Sequence, residues 1–158
     1  MGLTNPTSRA GGVVNVFAES NGSKPGRVVL TGAIGDSGST LNVNAKGKAD
    51  SKGTYIKLTL KQGTVEANLS VLYKLVDSAS PTFSAATCSV YFAATSPVPL
   101  VVGTGAYHGV TGSVTLTFTV AAVLPRYASG KNKGQCDVSA NPTGEQVLVT
   151  GSGTIAFS

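Results

Sequence analysis

Residues 114–120 read Val-Thr-Leu-Thr-Phe-Thr-Val, with an apolar side chain at every second position and threonine between them. Strict alternation of this kind is typical of a β-strand with one face in a core and the other in water, because successive side chains of a strand point to opposite faces. The β-branched and aromatic residues also favour a strand. The stretch therefore predicts a strand on which Leu116 and Phe118 face inward.

The same period recurs along the chain. A glycine turn at Gln62-Gly63 separates two alternating runs, residues 55–61 and residues 65–74, and this arrangement predicts a β-hairpin that extends to Tyr73. Shorter strands fit residues 13–18, 27–31, 41–46, 87–93, 146–150 and 154–157. No segment shows a convincing helical period, so the sequence predicts eight or nine strands and almost no helix.

Composition agrees with an all-β domain. The 158 residues include 20 glycines, and 41% are hydrophobic while only 12% are charged. A chain of this length suits one domain, here residues 1–158, with residues 1–10 expected to form a flexible N-terminal extension and residues 125–143 a long loop. Sheets with one apolar face must pack together or close, which predicts a sandwich or a barrel.

Charge and hydropathy exclude two classes of partner. The net charge is +5, but the basic residues are dispersed, and only Lys131 and Lys133 lie close together, in the expected loop. Nucleic-acid-binding proteins usually concentrate such charge on one face, so we expect a solvated surface and no nucleic-acid partner. No stretch approaches about 20 continuous apolar residues, so no membrane insertion is expected.

The two cysteines, Cys88 and Cys136, have neither CxxC spacing nor a histidine cluster, which argues against a metal site. They are either free buried thiols or a disulfide. We favour the disulfide because both have polar neighbours, and it would tether the loop at residues 125–143 to a strand. A disulfide indicates an oxidising, extracytoplasmic compartment. No signal peptide is recognisable, so the first residues are interpreted as the start of a mature domain with an added initiator methionine.

The most specific stretch is residues 103–116, GTGAYHGVTGSVTL. A phosphate-binding loop would need a helix after the glycines, whereas a strand follows. Dense glycines before a strand instead predict positive φ angles and close strand approach at a barrel corner. We therefore assign the segment a structural role, carried by Gly103, Gly105, Tyr107, Gly109 and Gly112.

This stretch resembles the G-x-G-x-[FY]-x-G-V-x-G-x-V motif of allene oxide cyclases and, more loosely, plant dirigent proteins. The resemblance implies a single antiparallel, eight-stranded barrel, closed or nearly closed, with an apolar lumen. It also implies a homodimer or homotrimer. The motif matches about a dozen residues and contains no catalytic residue of those families, so none is assigned here.

Candidate chemistry is sparse. His108, the one histidine, lies in a turn without a neighbouring nucleophile motif, and the carboxylates show no metal-ligand pattern, so neither a metal nor a cofactor is expected. The inward-phased residues either fill the core or line a lumen that binds one small molecule. The candidate lumen residues are Leu58, Leu69, Tyr73, Phe92, Leu116 and Phe118.

Three function classes follow. The first is a secreted barrel that binds a small hydrophobic or aromatic molecule in its lumen. The second is a cyclase, isomerase or stereo-directing protein that encloses a reactive substrate without metal or cofactor. The third is a surface or structural protein with a filled core. An open lumen separates the first two from the third, and a polar group aimed into that lumen separates the second from the first.

Overall fold

The computed structural model describes residues 10–20 and 24–158, and most of the regular structure in them is antiparallel strand. The expected N-terminal extension lies, apart from Ala10, outside the described residues. In chain order the elements are β1 (Gly12–Glu19), β2 (Gly26–Gly32), β3 (Asp36–Val43), β4 (Tyr55–Leu60), β5 (Thr64–Asn68), α1 (Ser70–Ser78), β6 (Thr82–Ser84), β7 (Ser89–Gly103), a 3₁₀ turn (Gly105–Tyr107), β8 (Val110–Val123) and β9 (Gly144–Phe157).

Eight of these strands close into an antiparallel barrel, which confirms the predicted fold. The order is β1–β2–β3–β4–β5–β7–β8–β9, and β9 pairs back with β1. The β5–β7 pairing closes the sheet, with Val65 opposite Gly103 and Ala67 opposite Leu100. A bulge in β7 between these pairs leaves Val101 without a partner residue. β6 pairs only with the beginning of β7 and lies outside the barrel.

The barrel is closed by hydrogen bonds at one end only. β7 pairs with β5 from Leu100 onward and with β6 at residues 89–91, so residues 92–99 have β8 as their one strand neighbour. Pro97 and Pro99 lie in this half-paired part of β7. Proline has no N–H to donate, so it is tolerated where one edge of a strand is free.

Helix α1 corrects the predicted hairpin, which was expected to continue as strand to Tyr73. β5 ends at Asn68, whose side-chain oxygen accepts the backbone N–H of Ser70 at 2.9 Å and so turns the chain. Leu69, Leu72, Tyr73 and Val76 recur at the spacing of one helix face, and Leu72 is fully buried. The alternation of Leu69, Val71 and Tyr73 was compatible with both structures, and packing against β7 selects the helix.

The predicted disulfide is present, with the Cys88 and Cys136 Cα atoms 5.4 Å apart. It joins the β6–β7 turn to the β8–β9 connection, which is largely irregular over residues 124–143. Arg126 supports the same junction, because its guanidinium donates to the carbonyl oxygens of Ala86 at 2.7 Å and Gly134 at 2.8 Å. The disulfide therefore fixes the long loop against the part of the sheet that extends beyond the barrel.

The segment from Gly103 to Gly112 closes the other end of the barrel. Gly105 and Gly109 have φ angles of +62° and +79°, which side chains with a Cβ rarely adopt. A Cβ at Gly105 would lie 2.6 Å from the carbonyl oxygen of Gln62, and one at Gly109 would lie 2.5 Å from that of Ser158. These glycines let the turn pack directly on neighbouring backbone and bring Tyr107 into the core.

Replacing Gly105 or Gly109 by valine is expected to lower the free energy of unfolding by a few kcal/mol, because it combines a positive φ, costing about 1–3 kcal/mol, with a backbone clash. Urea unfolding of each variant measures the loss. His108→Ala is the control, since His108 lies between them and is exposed. Valine variants as stable as the wild type would contradict the assigned role.

Reducing the disulfide is expected to lower the free energy of unfolding by about 4 kcal/mol, because the bridge spans 48 residues and restricts the unfolded chain. Urea unfolding with and without a reductant measures this difference. Thiol titration of the unfolded, unreduced protein is expected to find no free sulfhydryl. Two reactive thiols would disprove the bridge.

Candidate functional site

The open end of the barrel holds a cavity of about 670 Å³, which we call the mouth. It lies where β1 and β3 end and β9 begins, and α1 forms one side. Because β7 has no β5 partner beside residues 92–99, the sheet spreads apart here. The lining residues come from five elements and adjoining chain: Glu19, Ser20, Asn42, Tyr73, Phe118, Glu145, Gln146, Val147 and Leu148.

The lumen below the mouth is almost filled by side chains. A residual cavity of about 50 Å³ remains among apolar residues that include Val14, Leu58, Leu100 and Leu116. Sites for small molecules commonly measure about 300–1,000 Å³, so the mouth has the appropriate size and the residual lumen cavity does not. The lumen thus serves as the hydrophobic core.

The six candidate lumen residues separate into three groups. Tyr73 and Phe118 line the mouth, whereas Leu58 and Leu116 line the small residual cavity. Phe92 packs against Phe118 with ring centroids 6.1 Å apart, and Leu69 is buried where α1 begins. Phe92 therefore supports the mouth from the neighbouring strand without lining it.

Tyr73 and Asn42 form a polar pair in the mouth. Asn42 Nδ2 donates to the phenolic oxygen of Tyr73 at 2.6 Å and to the carbonyl oxygen of Gly53 at 3.4 Å. A carbonyl can only accept, so the Gly53 contact fixes the amide with its nitrogen toward Tyr73. Burial raises the pKa of Tyr73, an effect that the Asn42 hydrogen bond partly offsets. The phenol is therefore neutral at physiological pH.

The rim of the mouth carries carboxylates. Glu19 pairs with Arg27 at 3.3 Å, where both side chains are well exposed, and such surface pairs contribute little to stability. Glu145 is exposed on the inner face of β9, opposite Ala122. Among the described residues, no lysine or arginine lines the mouth. Sequence reasoning missed Asn42 and Glu145 as site residues.

Other candidate chemistry stays separate from the mouth. His108 is exposed beside the 3₁₀ turn, at the closed end of the barrel. Residues 10–20 and 24–158 contain no group of three histidine, cysteine or carboxylate side chains able to hold a metal ion. Within the same ranges, no helix combines the length and the apolar character needed to cross a membrane.

The closed end contains a second polar group, built around Asp36 and the fully buried Tyr107. The Tyr107 hydroxyl donates to Asp36 Oδ2 at 2.5 Å. The backbone N–H groups of Ser37, Lys61 and Gln62 also donate to this carboxylate. The Tyr107 hydrogen bond, helped by these amides, lowers the pKa of Asp36 to about 2. Because four donors from the fold bind this one carboxylate, we assign Asp36 a structural role.

Part of the outer barrel surface is apolar. Phe17 on β1 and Val29 on β2 are directly opposite each other, and both are about half exposed. The dimer or trimer implied by the resemblance stays a prediction.

Comparison with known proteins finds no matching family model, no matching curated protein and no matching solved structure. The resemblance to allene oxide cyclases and dirigent proteins stays a prediction that rests on residues 103–116.

Acid stability tests the role of Asp36. Because the folded-state pKa of Asp36 lies below the ordinary aspartate value of 3.8, its ionised form stabilises the fold above about pH 4, and this stabilisation is lost as the pH falls toward 2. Asp36→Asn is expected to reduce stability at pH 7 and to flatten its decline between pH 4 and pH 2. Chemical unfolding at several pH values measures both effects.

Asp50→Asn serves as the control, because Asp50 accepts a hydrogen bond only within its own local turn. If the stability of the Asp36→Asn variant declined between pH 4 and pH 2 as that of the wild type does, the Asp36 carboxylate would not be the group that stabilises the closed end of the barrel.

Proposed function

We propose that the protein binds a small hydrophobic or aromatic molecule in the mouth of its barrel. The observation that carries this proposal is the cavity of about 670 Å³ at the open end, set directly above a packed apolar core. Phe118 and Val147 supply apolar surface, and the Tyr73–Asn42 pair supplies one oriented polar contact. Glu19, Ser20, Glu145 and Gln146 make the rest of the lining polar. Small-molecule sites combine apolar surface with a few convergent polar groups.

The disulfide supports function outside the reducing cytoplasm. Bridges of this kind persist in secreted and periplasmic proteins and are rare in cytosolic ones. Cys88 is 1% exposed and Cys136 is half-buried, and the bridge holds the loop beside the extended sheet. We therefore propose an extracytoplasmic binding protein.

Binding is favoured over cyclisation or isomerisation because the mouth is open to solvent along its Glu145 and Gln146 side, where both residues are exposed. Catalysis by enclosure requires water to be excluded from a reactive substrate. Tyr73 is neutral and orients a ligand, and no partner is positioned to take or return its proton among the described mouth residues.

A neutral fluorescent probe, N-phenyl-1-naphthylamine, tests the proposal, since its emission increases in an apolar environment. We expect saturable binding to the wild type. Val147→Trp is expected to weaken binding at least tenfold, because Val147 lines the mouth and an indole would occupy its volume.

Val123→Trp is the matched control, because Val123 is 47% exposed near the end of β8 and does not line the mouth. It is expected to change the affinity less than twofold. Thermal unfolding of each variant is measured to check that it is folded. Absence of saturable binding to the wild type, or equal binding to both variants, would refute the proposed site.

A further inference from the structure

The Tyr73–Asn42 pair leaves one hydrogen-bond donor for a ligand. Asn42 donates to the phenolic oxygen, so the phenolic proton cannot be directed at the Asn42 nitrogen. No described side chain or backbone group accepts that proton, because the contact with Asn42 is the only hydrogen bond of the Tyr73 hydroxyl within residues 10–20 and 24–158. The proton is therefore available to an acceptor in the mouth.

The position of this donor limits what it can bind. Tyr73 is half-buried, packs on the core from α1, and lines the cavity together with Phe118. Because Phe118, Val147 and Leu148 line the same cavity, this donor favours a ligand with an apolar body and one acceptor. A half-buried donor favours a ligand that carries the acceptor, because one neutral hydrogen bond contributes about 1 kcal/mol, or about fivefold in affinity.

Charge restricts the acceptor further. Glu19 and Glu145 line the mouth, whereas no cationic side chain among the described residues does. Arg27 pairs with Glu19 on the outer surface, where solvent screens the contact, and Glu145 has no ion pair among the described residues. A carboxylate ligand would face this negative rim without a cation to balance its charge, and burying an unpaired charge is unfavourable.

Resting on the proposed function, we infer that the mouth selects small uncharged carbonyl compounds with an aromatic or alicyclic body. The Tyr73 hydroxyl donates to the ligand carbonyl, Asn42 holds that hydroxyl in place, and the acidic rim disfavours carboxylates. The raised pKa of Tyr73 agrees with this role, because the phenol keeps its proton over the physiological range.

Three naphthalenes of similar shape test the inference: 2-acetylnaphthalene, 2-ethylnaphthalene and 2-naphthoate. Each is measured by displacement of N-phenyl-1-naphthylamine. Tyr73→Phe is expected to lower the affinity for acetylnaphthalene about fivefold, which corresponds to one neutral hydrogen bond. It is expected to change the affinity for ethylnaphthalene less than twofold. Naphthoate is expected to bind the wild type at least tenfold more weakly than acetylnaphthalene and to bind more tightly to Glu145→Gln.

Tyr91→Phe is the matched control, since Tyr91 is 53% exposed on the part of β7 that pairs with β6. It is expected to leave all three affinities unchanged. Equal weakening of the ketone and the hydrocarbon by Tyr73→Phe would assign Tyr73 to packing and overturn the inference. Wild-type binding of naphthoate as tight as that of the ketone would also overturn it.

The two proposals fail differently. If ethylnaphthalene binds in the mouth and acetylnaphthalene binding does not depend on Tyr73, the inference is wrong and the proposed function stands. If neither naphthalene nor the fluorescent probe binds, the proposed function itself is wrong.

Discussion

The pairing of β5 with β7 is the constraint on which the rest of the structure depends. It consists of residues 65–67 facing residues 100–103, with a bulge between, and it is the point at which the open sheet becomes a barrel. β5 cannot extend the pairing, because the chain leaves the sheet at Asn68 and enters α1. β7 continues without a partner on that edge, so the barrel is sealed at one end and spread at the other. The helix that ends the pairing also brings Tyr73 to the gap.

The polar groups at the two ends of the barrel differ in whether the fold uses all of their hydrogen bonds. At the closed end, Asp36 accepts hydrogen bonds from Tyr107 and three backbone amides, so its bonding capacity is directed into the fold. At the open end, Tyr73 accepts from Asn42 and keeps a donor for the mouth. Buried polar groups in folded proteins are almost always paired. A paired group such as Asp36 therefore has a structural role, whereas the remaining donor of Tyr73 is one of the features on which the proposed binding site rests.

Local pattern predicted the strands well where one face is apolar at every second position, as in residues 114–120, because a period of two then has one interpretation. It was ambiguous at residues 69–76, where apolar residues fit both a strand and a helix, and the choice depends on a gap in the barrel that forms only after closure. It predicted β7 too short, because Pro97 and Pro99 discourage a strand unless its edge is known to be free. Asn42 was missed because it lies between the apolar residues Leu41 and Val43, and simple alternation would place it on the polar face of the strand. Val43 is buried instead by the turn that returns at Ala49.

Closure of the barrel also explains why the proposed site lies at the mouth and not in the lumen. In an eight-stranded barrel the interior is narrow enough for side chains to fill, and leucine, isoleucine and valine do fill it here, leaving about 50 Å³. The sequence offered a filled core and an open cavity as alternatives, and the structure contains both at different heights along one axis. The core gives the mouth a rigid floor, since densely packed side chains resist displacement. A ligand at the mouth would thus meet a preformed surface, which reduces the entropy lost on binding.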